Sequence, residues 1–93
     1  MSKLVTLHTK PGTCNQCTNT KRALKTAGIP YQEIVVNESD KQSIDELKLI
    51  AEKKGVTATM PYVLVMDMET KDSHDWFGFQ PDEVKKLAKE LQA

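Results

Sequence analysis

The sequence predicts a mixed α/β fold, a four-stranded mixed sheet with three helices in the order β-α-β-α-β-β-α, in one domain over residues 1–93. Three observations predict it. Runs of strand length alternate with longer stretches in which apolar residues recur at helical spacing. Gly28 and Gly55 stand where two of those helical stretches end. Pro61-Tyr62-Val63-Leu64-Val65-Met66 is apolar without alternation, the pattern of a strand covered on both faces.

Each element has its own local reason. Residues 4–8 read as a first strand bounded by the turn Pro11-Gly12. Thr13 and Gln16 have capping-box spacing, which makes Thr13 the cap and Cys14 the first helical residue. That helix presents Cys17, Thr20, Leu24 and Ala27 on one face and stops at Gly28, with Pro30 beyond. Tyr31 to Val36 forms a second strand. Ser39 and Gln42 repeat the capping-box spacing and open a helix to Lys54, its inward face Ile44, Leu47 and Ala51. After the apolar strand, a polar turn from Asp67 to Asp72 leads to a short strand near His74 to Phe77. Pro81 opens the last helix, with Asp82 and Glu83 in its first turn and Lys85, Lys86 and Lys89 later, as the helix dipole favours. Its buried stripe is Val84, Leu87, Ala88 and Leu91, and the three lysines form a solvated face. Strands joined through a helix by a right-handed crossover are expected to be parallel, and strands joined by a turn antiparallel.

Charge and composition narrow the function. Thirteen basic and thirteen acidic residues give a formal net charge of zero, so no general attraction to nucleic acid or to an anionic membrane is expected. The longest apolar stretch, Met60 to Met66, is far short of the roughly 20 residues of a membrane helix. The N-terminus lacks a signal-peptide core, so a cytoplasmic protein is expected. Two cysteines are too few for a disulfide-stapled secreted scaffold.

Those two, Cys14-Asn15-Gln16-Cys17, sit where the first strand hands over to the first helix. Three residues is just under one helical turn, so both sulfurs lie on one side and can meet. Cys14 is at the helix start, where free N–H groups and the positive dipole end favour a thiolate, and its thiol is expected to titrate below the free value of about 8.5. Lys10, Lys21 and Arg22 add cationic support. Cys17 shares its face with Leu24 and Ala27 and is expected to be shielded. An exposed, activated thiol backed by a buried resolving thiol is what thiol–disulfide exchange requires. A zinc site is the competing reading of the same spacing. It needs two further ligands, and the histidines available, His8 and His74, do not form a second pair; no metal is expected. His8 reads as a half-buried strand residue and His74 as a surface residue. Thr59-Met60-Pro61 precedes the central strand directly. Base rates favour a trans bond there, whereas a cis bond would turn the Met60 backbone outward beside the cysteines, where an extended partner segment could pair with it.

With this order, C-x-x-C and T-x-P, the chain resembles the thioredoxin fold at glutaredoxin size, and more closely the NrdH-type redoxins. The marks are Cys14-Asn15-Gln16-Cys17, Lys21-Arg22-Ala23, Thr59-Met60-Pro61 and Trp76-Phe77-Gly78-Phe79-Gln80-Pro81, the last similar to the family's W-S-G-F-R-P. The resemblance implies a monomeric dithiol electron carrier with no bound cofactor beyond a redox-active Cys14–Cys17 disulfide. It would be re-reduced by NADPH through thioredoxin reductase and would donate to class Ib ribonucleotide reductase. By the same likeness Cys14 would attack, Cys17 would resolve, Pro61 would be cis, and Thr59, Met60, Pro61, Trp76, Phe77, Gly78 and Phe79 would form the partner surface. Plain packing against the last helix is the alternative for the aromatic residues. Ordinary glutaredoxins carry a Gly-Gly pair followed by acidic residues at this point, which help to hold glutathione, and this chain has none. It also departs from the redoxins, with Phe77 for their Ser, Gln80 for their Arg, and one extra residue in Lys10-Pro11-Gly12-Thr13. The competing functions are a glutathione-dependent glutaredoxin, a zinc-stabilised binding module on Cys14, Cys17 and His8, and a redox-inactive adaptor.

Overall fold

The computed structural model describes residues 3–92 of the chain. Seven elements follow in the expected order: β1 (Lys3–Thr9), α1 (Asn15–Thr26), β2 (Gln32–Val35), α2 (Lys41–Lys54), β3 (Tyr62–Asp67), β4 (Ser73–Phe77) and α3 (Pro81–Gln92). The four strands form one sheet in the order β2-β1-β3-β4. β1 and β2 are parallel, while β1–β3 and β3–β4 are antiparallel.

The antiparallel β3 corrects the expectation that every helix-joined pair of strands is parallel. In register, His8 faces both Ile34 and Tyr62, and Thr9 faces Val35. The connection from β2 through α2 therefore leaves and re-enters the sheet at the same end, because residues 55–61 run back after the helix. A parallel crossover would have to re-enter at the opposite end.

Alternation assigns the two faces. One face presents Val5 and Leu7 of β1, Val63 and Val65 of β3 and Trp76 of β4, and packs with Leu24 of α1 and with Val84 and Leu87 of α3. The other presents Tyr62 and Phe77, which pack with Leu47 and Ala51 of α2 and with Val36. Both predicted helix caps move. Cys14 itself caps α1, its Sγ accepting the Cys17 backbone N–H at 3.2 Å. At α2 the cap is Asp40, which accepts Ser43 N–H at 3.2 Å and Ser43 Oγ–H at 2.8 Å. Gly55 ends α2 as expected, at φ +71°, a left-handed conformation that costs glycine no Cβ clash. No helix among the described residues is long and apolar enough to cross a membrane.

Candidate active site

β1 delivers the chain to the sheet's site end, and the loop from Lys10 to Thr13 turns it into α1. There Cys14 and Cys17 are joined as a disulfide, with Cα atoms 5.2 Å apart. The two positions are unequal, as their places on the helix dictate. Cys17 is 3% exposed, on the face that also buries Thr20 and Leu24. Cys14 is half-buried at the helix start, and the hydrogen bond from Cys17 N–H is the kind that favours negative charge on its sulfur.

A second segment reaches the site from the other end of the chain. The Met60–Pro61 peptide bond is cis, and Pro61 is fully buried. Its carbonyl accepts the Gly78 backbone N–H at 2.8 Å. The neighbouring Phe79 N–H donates to Gln16 Oε1 at 3.0 Å, joining the turn between the cysteines to the loop before α3. Gly78 has φ +80°, a left-handed backbone that strains any side chain, and a Cβ there would lie 2.9 Å from Gln16 Oε1 and displace it. Gln80 secures the same loop, its Nε2 donating to Phe77 O at 2.9 Å.

The anticipated partner residues divide by burial. Trp76 is 3% exposed in the core under α1 and α3, and Phe77 is 7% exposed in the core under α2. Thr59, Met60 and Phe79 are half-buried at the edge of the site. Of the aromatic stretch, Phe79 and the Gly78 backbone border the cysteine turn, and Phe77, standing where the redoxins carry Ser, is spent on packing.

The three cations also have separate surroundings. Lys21 pairs with Glu33 across to β2, Nζ to Oε2 3.2 Å. Thr9 Oγ1 donates to the same carboxylate at 2.8 Å, and this bond, joined by Lys21, holds the Glu33 carboxyl below its usual range although burial works to raise it. Sequence reasoning missed Glu33 because it belongs to an edge strand whose register only the parallel pairing reveals. Lys10 lies over an apolar pocket with Pro11, Val36, Leu47 and Met60, and Arg22 borders a groove beyond Phe79. His8 is half-buried with its ring tilted against Tyr62, centroids 5.4 Å apart, and His74 is exposed and paired with Glu83. Among the described residues, no cluster of three or more His, Cys, Asp or Glu side chains could hold a metal ion.

The glutaredoxin family model matches residues 5–68 of the chain, a span that holds both cysteines and the cis-proline. The chain belongs to the glutaredoxin family. Its fold is similar to that of the glutaredoxin (grx-1) from Archaeoglobus fulgidus, with TM-score 0.61 and 22% identity over 89% of this chain and 83% of that one. It is also similar to glutathione transferase Omega 2S from Trametes versicolor, with TM-score 0.55 and 13% identity. That match covers 98% of this chain but only 39% of the transferase. No curated protein sequence matches the chain. As a glutaredoxin-family protein with a cysteine pair able to close a disulfide, the chain is a thiol–disulfide oxidoreductase.

Proposed function

We propose that this glutaredoxin-family chain is a dithiol electron carrier of the NrdH type, reduced by NADPH through thioredoxin reductase and donating to class Ib ribonucleotide reductase. Its acceptors are protein disulfides rather than glutathione adducts. The Cys14 thiolate attacks one sulfur of the acceptor disulfide, whose S–S bond breaks as the mixed disulfide forms. The Cys17 thiolate then attacks the Cys14 sulfur and releases the second acceptor thiolate. Two electrons pass to the acceptor, the Cys14–Cys17 bond forms, and the two protons of the cysteine thiols balance the two new thiols. The carrier needs no cofactor beyond this sulfur pair, and its role is that of a cytoplasmic monomer.

The observation that carries the reading is the clasp at Gly78 and Phe79. One N–H of this loop is bound to Pro61 O and the next to Gln16 Oε1. Donors already engaged inside the protein are not offered to the carboxylates of a small peptide such as glutathione. The turn between the cysteines is instead bordered by half-buried Phe79, a surface suited to another protein.

A comparison of electron donors tests this. With NADPH and thioredoxin reductase, the chain is expected to reduce a protein disulfide at least about tenfold faster than with glutathione and glutathione reductase, a gap of about 1.4 kcal/mol in transition-state free energy. Faster turnover with glutathione would replace this reading with that of a glutathione-dependent glutaredoxin. Cys14→Ser is expected to abolish turnover, and Cys17→Ser to trap the mixed disulfide, visible as a covalent adduct that dithiothreitol releases. Turnover that survives Cys14→Ser would refute the mechanism.

A further inference from the structure

We propose that the groove between α1 and α3 is a docking track for an acidic, apolar segment of the disulfide-bearing protein substrate, lying a few residues from the substrate's reactive cysteine. The inference rests on the reading that this oxidoreductase acts on protein disulfides, and it adds the chemistry by which such a protein is recognised.

The groove has a volume of about 600 Å³ and runs from Asn19 and Phe79 along the two helices. Ala23 and Ala27 of α1 form one wall, and Val84 and Ala88 of α3 the other. Phe79 and Pro81 close the end toward the cysteines. Phe79 is the residue whose N–H Gln16 holds, so the groove's mouth is fastened directly to the cysteine turn. A protein whose sulfur reaches Cys14 therefore brings its adjoining chain to this mouth.

Charge identifies the occupant. Arg22 and Lys85 line the groove from opposite helices, and no carboxylate lines it. Among the described residues neither cation joins an ion pair. Two uncompensated cations over an apolar floor select a segment that alternates apolar and acidic side chains. The apolar pocket beneath Lys10 lacks this selectivity, because Glu38 lines it beside the lysines.

Helix geometry sets the reach. Asn19 and Ala27, the first and last groove residues of α1, are about 12 Å apart along the axis at 1.5 Å per residue. An extended chain covers that in about four residues.

The test uses the full chain, reduced with dithiothreitol and desalted, in single turnover without any reductase. Three synthetic peptides carry the same intramolecular disulfide, followed after two residues by Leu-Glu-Leu-Glu, Leu-Lys-Leu-Lys or Leu-Ser-Leu-Ser. The acidic peptide is expected to be reduced about tenfold faster than the basic one at low salt, with the serine peptide between them. The ratio is expected to fall as salt rises, and to drop to about twofold in Lys85→Glu and to an intermediate value in Lys85→Gln. Because each ratio is taken within one protein sample, a change in the overall reactivity of a variant cancels. Equal rates for the three peptides, or a preference for the basic one, would overturn the proposal. So would a dimer at micromolar concentration that Lys85→Glu dissolves, since the groove would then hold a second copy. Reduction of bis(2-hydroxyethyl) disulfide in parallel separates the two readings. If it proceeds while the peptides show no preference, the groove proposal alone fails; if neither it nor any peptide is reduced, the oxidoreductase reading fails as well.

Discussion

The two faces of the sheet are built from the same four strands but solve burial differently. Under α1 and α3 the contacts are mostly apolar, and Leu7, Leu24 and Val63 are completely buried. Under α2 the same strands present His8, Tyr62 and Asp75, and the face leaves Leu4 42% exposed at the end away from the cysteines and Ile34 47% exposed on the edge strand β2. The closed face is the one that anchors α1, and with it Cys17. A helix whose first turn must hold one sulfur buried and its partner at the surface is placed most firmly by dense apolar packing. The same truncation on each face measures the difference. Leu24→Ala is expected to cost about 2–5 kcal/mol, because the cavity lies where the surroundings cannot collapse. Leu4→Ala is expected to cost less than about 1 kcal/mol. Chemical denaturation of both variants makes the comparison, and equal losses would show that the faces are energetically alike.

The two packing systems meet at the loop between β4 and α3, where Trp76 enters one core and Phe77 the other. Gly78 and Phe79 follow immediately and carry the clasp, the Gly78 N–H to Pro61 O and the Phe79 N–H to Gln16 Oε1. Gly78→Ala is expected to cost about 2 kcal/mol, from a side chain forced into the left-handed region and against Gln16 Oε1. The cysteine turn is expected to loosen with it, so reduction of a protein disulfide slows. Wild-type stability and rate in this variant would show that the loop adapts and that the clasp does not position the site.

The same contrast separates what the sequence reveals from what it hides. Element order, the glycine stop at Gly55 and the cysteine pair at the start of α1 follow from local pattern, and all are present in the structure. The caps of α1 and α2 depart from the local pattern for identifiable reasons. Gln16 has the spacing to serve a capping box with Thr13, yet its carboxamide is taken by Phe79, 63 residues away, and the cap passes to the Cys14 sulfur. Tertiary demand outweighed the local rule. At α2 the competition was between neighbours, and Asp40 binds both the N–H and the hydroxyl of Ser43 where Ser39 was expected to cap. Nor does the apolar run of β3 announce that the Tyr62 hydroxyl lies within 2.6 Å of Asp75 Oδ2, since that contact depends on the β3–β4 register.

That hydroxyl belongs to the polar system of the α2 face, and it supplies the smallest effect that still distinguishes the faces. Asp75 accepts Tyr62 O–H and, at 2.7 Å, Lys54 Nζ–H. Partial burial works to raise its pKa, but Lys54 and Tyr62 outweigh it and hold the carboxyl below its ordinary range. The Tyr62 phenol is raised, first by burial and then by the hydrogen bond and charge of Asp75, so it remains a proton donor throughout the neutral range. A depressed carboxyl stabilises the fold fully above its unfolded value of about 4, and that stabilisation is lost as the pH falls through the folded value. Asp75→Asn is accordingly expected to cost about 1 kcal/mol at pH 7 and progressively less below pH ~4, where the wild-type carboxyl is also neutral. Glu33 and Glu83, depressed in the same direction, are present in both proteins and cancel in the difference. Denaturation at pH 7, 5, 4 and 3 reads the effect directly. A gap that stays constant down to pH 3 would mean that Asp75 acts through shape alone, and the charged character assigned to the α2 face would fall with it.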